Sequence, residues 1–188
     1  MERDTAGEKF PIGSRIPTFS LPNVDGQQLG SEYLLESSTG RSAAALVAFT
    51  CNHCPYVKGS EDKLIELVKL YEPRGLKAIA ISSNDALQYP DDSFDKMKEK
   101  SKQMKLPYPY LYDETQQVAR LFDAACTPEL YLFDRAGKLV YHGAINDSPR
   151  DPTKVTKEYL RDAIEAVIAG EQPAKSFINP LGCSIKWK

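Results

Sequence analysis

The run SAAALVAFT at residues 42–50 carries no charge and no alternation of polar with apolar side chains. A strand with one wet face alternates with a period of two, so an unbroken run of this length predicts a strand covered on both faces. That requirement alone calls for helices above and below a sheet. A second such run, LKAIAIS at 76–82, predicts a neighbouring strand. Between them, Leu64, Ile65, Val68 and Tyr71 recur at the spacing of an amphipathic helix over 55–71, with Pro55 in the first turn, where a missing N–H costs nothing. The polar stretch DDSFDKMKEKSKQM predicts a further helix capped by Asp92 or Ser93, with Phe94, Met97 and Met104 facing inward. The order βαβα places the chain in the α/β class.

The remaining segments fit around that frame. Residues 16–21 followed by NVDGQQ predict a strand entering an N-terminal hairpin added to the main sheet. YPYLYD predicts a short edge strand whose Tyr108, Tyr110 and Tyr112 lie on half-buried sheet surface, and 118–122 a small helix. ELYLFDRAGKLVYHG reads as a closing hairpin over 129–143, and Tyr159, Leu160, Ala163, Ile164, Val167 and Ile168 as one face of a last helix over 156–169 that stops at Gly170. This divides the chain into an N-terminal extension (1–13), one domain (14–170) and an irregular tail (171–188). The tail carries Phe177, Ile178, Leu181, Ile185 and Trp187, too much apolar surface to leave in water, and is expected to dock on the domain.

At 188 residues such a domain buries an ordinary core and needs no disulfide staple. Twenty-four basic against 26 acidic residues leave a net charge of -2, with no basic stripe to suggest nucleic acid. The opening MERDTAGEKFPIG lacks the apolar core of a secretory signal, and no run is long enough to span a membrane. A cytoplasmic setting is expected. In such a reducing compartment four cysteines, at 51, 54, 126 and 183, are redox-active, metal-binding or simply buried rather than structurally paired.

The motif TCNHCPY sits where the first buried strand meets the first helix. A Cys-x-x-Cys in that position favours redox chemistry, because unpaired N–H groups and the positive dipole end at a helix start stabilise thiolate over thiol. Cys51 is expected to be the exposed, low-pKa thiol and Cys54, one turn in, the shielded one. Zinc binding is the weaker reading, since Cys126, Cys183, His53 and His142 show no second paired spacing. His142 reads as a strand-face residue without an Asp, Cys or His partner, and Cys126 as a small packed side chain or a third thiol at the rim of the site. Cys183 reads as a buried anchor for the tail or as a late resolving thiol for Cys51 or Cys126.

Together CNHCPYVK, YPYLYDE, TPELYLFD and the terminal GCSIKWK resemble the thioredoxin-like superfamily, and within it the redoxins related to alkyl hydroperoxide reductase and thiol-specific antioxidant proteins, in particular a peroxiredoxin-like group carrying a Cys-x-x-Cys. The resemblance implies a thioredoxin-like fold, a central mixed sheet flanked by helices, and a cis proline at Pro128 facing the cysteines. It also implies that His53 stabilises the reduced thiolate, as histidine does at that place in disulfide oxidases of this fold. Two departures stand out. The peroxiredoxin pattern Pro-x-x-x-Thr-x-x-Cys, counted back from Cys54, meets Cys51 at the Thr place and Val47 at the Pro place; counted from Cys51 it meets Ala48 and Ala44. Thioredoxins place Trp before the first cysteine and an acid in the preceding strand, whereas Thr50 stands here and the strand has no acid.

These readings lead to a thiol–disulfide oxidoreductase, an antioxidant or redox-homeostasis enzyme. Cys51, Cys54 and His53 form its centre, and Thr127 and Pro128 offer backbone contacts. Cys126 and Cys183 are accessory thiols. No cofactor and no metal are called for. The partners expected are a thiol or disulfide substrate, protein or small molecule, and a separate thiol electron donor, with no nucleic acid and no membrane. A thiol peroxidase with an atypical pocket and a non-enzymatic copper- or zinc-binding module are the alternatives.

Overall fold

The computed structural model describes residues 10–37 and 40–188. In chain order the elements are β1 (Ser20–Pro22), β2 (Gln28–Gly30), α1 (Ser31–Leu35), β3 (Glu36–Ser37), β4 (Gly40–Arg41), β5 (Ala44–Thr50), α2 (Pro55–Tyr71), β6 (Leu76–Ser82), α3 (Phe94–Met104), β7 (Tyr110–Tyr112), α4 (Gln117–Leu121), β8 (Cys126–Thr127), β9 (Glu129–Asp134), β10 (Leu139–Gly143), α5 (Tyr159–Ile168), β11 (Phe177–Ile178) and β12 (Cys183–Ser184). Six of the strands form one mixed sheet in the order β11-β10-β9-β5-β6-β7. β5 runs parallel to β6 and antiparallel to β9, so the apolar run at 42–50 lies inside the sheet with a partner on each side.

Every residue of β5 is buried, and alternate side chains enter different cores. Leu46 and Ala48 pack with Leu64, Val68 and Tyr71 of α2 and Leu160 and Ile164 of α5. Val47 and Phe49 pack on the other face with Ile79, Phe122, Tyr131 and Phe133. Each large aliphatic side chain so buried contributes roughly 1.5–3 kcal/mol. Two covered faces explain why the strand shows no period of two.

The turn between β9 and β10 closes as its Asp-Arg-Ala-Gly sequence suggests: Asp134 Oδ1 accepts from Ala136 N at 2.8 Å and Lys138 N at 2.9 Å. Some boundaries differ from expectation. α5 begins at Tyr159 rather than Thr156, because the N–H groups of Thr156 and Lys157 and the Thr156 hydroxyl are held by Asp147. The N-terminal hairpin, β1 with β2, is a separate two-stranded sheet joined to the edge of the main sheet by an Asn23–Leu111 bridge and by Tyr110 N donating to Asn23 Oδ1 at 2.9 Å. Its first strand starts at Ser20, past Pro17, which has no N–H to give a ladder. The charged opening segment, residues 1–9, lies outside the described residues, while Phe10 packs on Phe122, Tyr131 and Phe133.

The tail is irregular apart from two two-residue strands, and both are docked. β11 adds in parallel to β10, where Gly143 lets the chains approach so closely that a Cβ would sit 1.7 Å from Ile178 O. β12 then crosses to pair with β8, Cys183 opposite Thr127 and Ser184 opposite Cys126.

Candidate active site

β5 delivers Cys51 at its carboxyl end, and residues 51–53 form a short loop before α2 starts at Pro55. Cys54 is therefore the residue that caps the helix, not its second turn. Both cysteines are 0% exposed, which corrects the expectation of an exposed Cys51. The expectation placed Cys51 directly before the helix; three intervening residues turn it inward and leave Cys54 at the unpaired N–H groups.

The β8–β9 junction faces the pair. The Thr127–Pro128 peptide is cis. Thr127 Oγ1 lies 3.4 Å from Cys51 Sγ, and the Cys54 thiol donates to Thr127 O at 3.3 Å. Cys183 packs against the pair from the tail. Ionisation of Cys54 gives up the bond to Thr127 O but gains several donors. Foremost is the Cys51 thiol; burial opposes the charge, but the Cys183 thiol and the main-chain N–H groups of Val57 and Cys183 also favour it, and the thiol is drawn down to about 4. Cys51 moves the other way: donating to Cys54, burial and the nearby Asp92 carboxylate all raise it. The two thiols titrate as a coupled pair, with the donors around Cys54 favouring charge at that sulfur and burial and Asp92 disfavouring it at Cys51. The expected low-pKa thiol is Cys51, whereas these directions favour the other member of the pair.

Asp92 organises the loop. It is 0% exposed, in the turn just before α3, and accepts from Asn52 N at 2.7 Å, His53 N at 3.3 Å and Asn84 Nδ2 at 2.7 Å. His53 Nδ1 sits 2.6 Å from Asp92 Oδ2, and its ring stacks on Tyr89 at 5.5 Å. His53 therefore addresses the carboxylate beside Cys51 rather than a thiol directly. Lys100 of α3 donates to Cys51 O at 3.0 Å while paired with the buried Glu61 of α2 at 2.9 Å. Tyr110 OH reaches Asn52 Oδ1 at 3.0 Å.

The sequence reading missed Asp92, which looked like a helix cap; the cap is Ser93, whose hydroxyl accepts from Lys96 N. An acid two residues before a capped helix was the only signal for it. His142 proves to have a partner, Glu129, at 2.7 Å, both buried. Burial would raise the Glu129 carboxyl, but His142 and the N–H groups of Ala125 and Cys126 outweigh it and hold the carboxyl below its ordinary range. Glu129 so fixes the loop that carries Thr127. Cys126 lies opposite Ser184, outside the cluster formed by Cys51, Cys54, Val57, Tyr56 and Cys183.

Ligand atoms of Cys51, His53 and Asp92 lie within 4.8 Å of one another, a spacing a metal ion could use. The Asp92 oxygens are already met by N–H donors, so the cluster is satisfied without an ion. A cleft of about 710 Å³ runs along α5 and 171–175, away from the thiols. A second, about 470 Å³, is bordered by Asn52, His53, Lys58, Lys96 and Lys100 and comes closer to the chemistry. No helix of the described residues is long and apolar enough to cross a membrane.

A mixed sheet, a Cys-x-x-Cys between its central strand and a helix, and a cis proline loop facing that motif define a protein of the thioredoxin-like class. The chain belongs to the AhpC/TSA family, which it matches over residues 12–142. It is similar to an uncharacterized conserved protein from Geobacillus kaustophilus (43% identity, TM-score 0.89, covering 100% of this chain and 96% of that one) and to a hypothetical protein from Sinorhizobium meliloti (35%, 0.86, 95% and 96%). A thiol:disulfide interchange protein of the thioredoxin family from Chlorobium tepidum shares the fold at 18% identity (TM-score 0.63, 83% and 97%). Comparison with curated proteins returns no match.

Proposed function

We propose that the chain is a thiol–disulfide oxidoreductase in which Cys54 is the thiolate nucleophile and Cys51 the thiol that resolves it. The observation that carries the reading is the placement of the pair: Cys54 caps α2, where the first N–H groups of the helix are unpaired, and both sulfurs face the cis Thr127–Pro128 junction. In the forward direction the Cys54 thiolate attacks a disulfide R–S–S–R, releasing one thiolate. Cys51 then attacks the Cys54 sulfur, releasing the second and leaving a Cys51–Cys54 disulfide. Two protein thiols are oxidised as one external disulfide is reduced, and a separate thiol donor resets the pair. His53 and Asp92 set the charge beside Cys51, and Thr127 and Pro128 present backbone to the substrate. A cytoplasmic setting suits this chemistry, because its glutathione pool keeps such a dithiol reduced.

Stopped-flow mixing of reduced protein with oxidised glutathione tests it. Release of glutathione with formation of a Cys51–Cys54 link is expected, and a protein that stays reduced or stops at a glutathionylated Cys51 would overturn it.

One observation favours a second reading, a thiol peroxidase. Cys54 caps the helix with a hydrogen donor three residues earlier, Cys51 standing where peroxiredoxins keep Thr, and a thiol at 0% exposure admits peroxide more easily than a bulky disulfide. Peroxide turnover faster than disulfide turnover, lost in Cys54→Ser, would establish it.

A further inference from the structure

The dithiol is buried, and a third thiol packs against it. Cys51 and Cys54 are 0% exposed, whereas Cys183, packed against them, is only partly buried. The segment bearing Cys183 is pinned just beyond it: Ile185 N donates to Ala125 O at 2.8 Å, Lys186 N to Asn84 Oδ1 at 2.8 Å, and Asp85 N to Lys186 O at 2.8 Å. Ile185, 3% exposed, supplies the apolar anchor. A tail so fastened needs no thiol to hold it. The thiol sits instead in β12, where this segment of the tail straps across Cys54, opposite Thr127.

We propose that Cys183 is a third redox thiol, which exchanges into the Cys51–Cys54 disulfide at the Cys54 sulfur and presents the oxidised form to the thiol donor at the surface. The proposal rests on the thiol–disulfide reading above. In the exchange the Cys183 sulfur bonds to Cys54, the Cys51–Cys54 bond breaks and Cys51 leaves as the thiolate; no net oxidation occurs. A donor thiolate then attacks the Cys183 sulfur, Cys54 leaves as its stabilised thiolate, and a second donor thiol releases Cys183 and departs as the donor disulfide. Two donor thiols are oxidised as the protein disulfide is reduced.

The electrostatics turn with the redox state. In the reduced protein Cys183 is raised to about 11, by burial first and then by Cys54. Once Cys54 is in a disulfide its charge is gone, while Lys186 and Arg150 still favour a thiolate at Cys183. Cys183 is thereby held back until there is a disulfide to attack.

The test is stepwise oxidation of the full chain with oxidised glutathione, acid quenching, alkylation and peptide mapping, followed by re-reduction with glutathione. Wild type should show both Cys51–Cys54 and Cys54–Cys183 links, Cys51→Ser should accumulate Cys54–Cys183, and re-reduction of oxidised Cys183→Ser should slow by about tenfold or more, since the donor must then reach a buried sulfur. A Cys51–Cys54 link that forms normally, with no Cys183 link in either protein and unchanged re-reduction in Cys183→Ser, overturns the proposal and leaves the oxidoreductase reading standing. If no Cys51–Cys54 link forms at all, both fall.

Discussion

Replacing Gly182 by alanine tests whether the tail controls the thiolate. A Cβ at this position would lie 2.2 Å from Thr127 O and 2.7 Å from Thr127 C, both backbone atoms that cannot step aside. Ordinary contact requires a retreat of the strap by about 1 Å, enough to break hydrogen bonds whose strength falls steeply with distance and angle. The strap gives Cys54 the Cys183 N–H and thiol. A hydrogen bond to a charged group contributes about 1.5–3 kcal/mol, and 1.36 kcal/mol corresponds to one pH unit, so losing one donor should raise the Cys54 midpoint by about one to two pH units from its starting value. The assay is the pH dependence of iodoacetamide modification of the Cys54 peptide, read by mass spectrometry. The plateau rate should also rise, because the strap no longer covers the sulfur. An unmoved midpoint with an unmoved plateau would refute the reasoning.

Other outcomes follow from the same contacts. His53→Ala removes the ring nitrogen 2.6 Å from Asp92 Oδ2 and leaves that carboxylate with one polar partner fewer beside the dithiol, which disfavours the reduced anion; the potential, read by equilibration with glutathione, should fall by on the order of 30 mV for about 1.4 kcal/mol, and an unchanged value would remove His53 from the mechanism. Asp92→Ala orphans donors from Asn52, His53 and Asn84 and should cost roughly 2–4 kcal/mol in urea unfolding, against within about 0.5 kcal/mol for its exposed neighbour Asp91→Ala. Glu129→Ala breaks a buried pair and should cost about 3–5 kcal/mol. Because the folded Glu129 carboxyl is held low, its contribution is fully present above the unfolded value of about 4.3 and lost as pH falls through the folded one. Unfolding measured from pH 6 downward should therefore show a decline in wild type that is smaller in Glu129→Gln.

The sheet was legible because its signals are local: β5 and β6 announce themselves by unbroken apolar runs, and α2 by its stripe and Pro55. The cysteine motif was legible for the same reason. The roles within it were not. Which cysteine caps the helix depends on whether 51–53 are loop or helix, a matter of three residues that periodicity does not resolve. Asp92 is 40 residues from Asn52 and looks like any acid ahead of a helix; only the packing of α3 against the β5–α2 loop makes it a buried acceptor. Glu129 and His142 meet because β9 and β10 are paired, and Cys183 meets Cys54 because Gly143 and Gly182 let the tail pass close to the sheet and to Thr127. Apolar residues predicted that the tail docks, but not where.

The assignment of Cys54 as the ionised member of the pair is tested most directly by thiolate ultraviolet absorbance across an acid-to-alkaline titration of the reduced protein, Cys51→Ser and Cys54→Ser. A single thiolate appearing well below neutral pH in wild type and Cys51→Ser, and missing in Cys54→Ser, is the predicted result. A low-pH thiolate that survives in Cys54→Ser and vanishes in Cys51→Ser would contradict it.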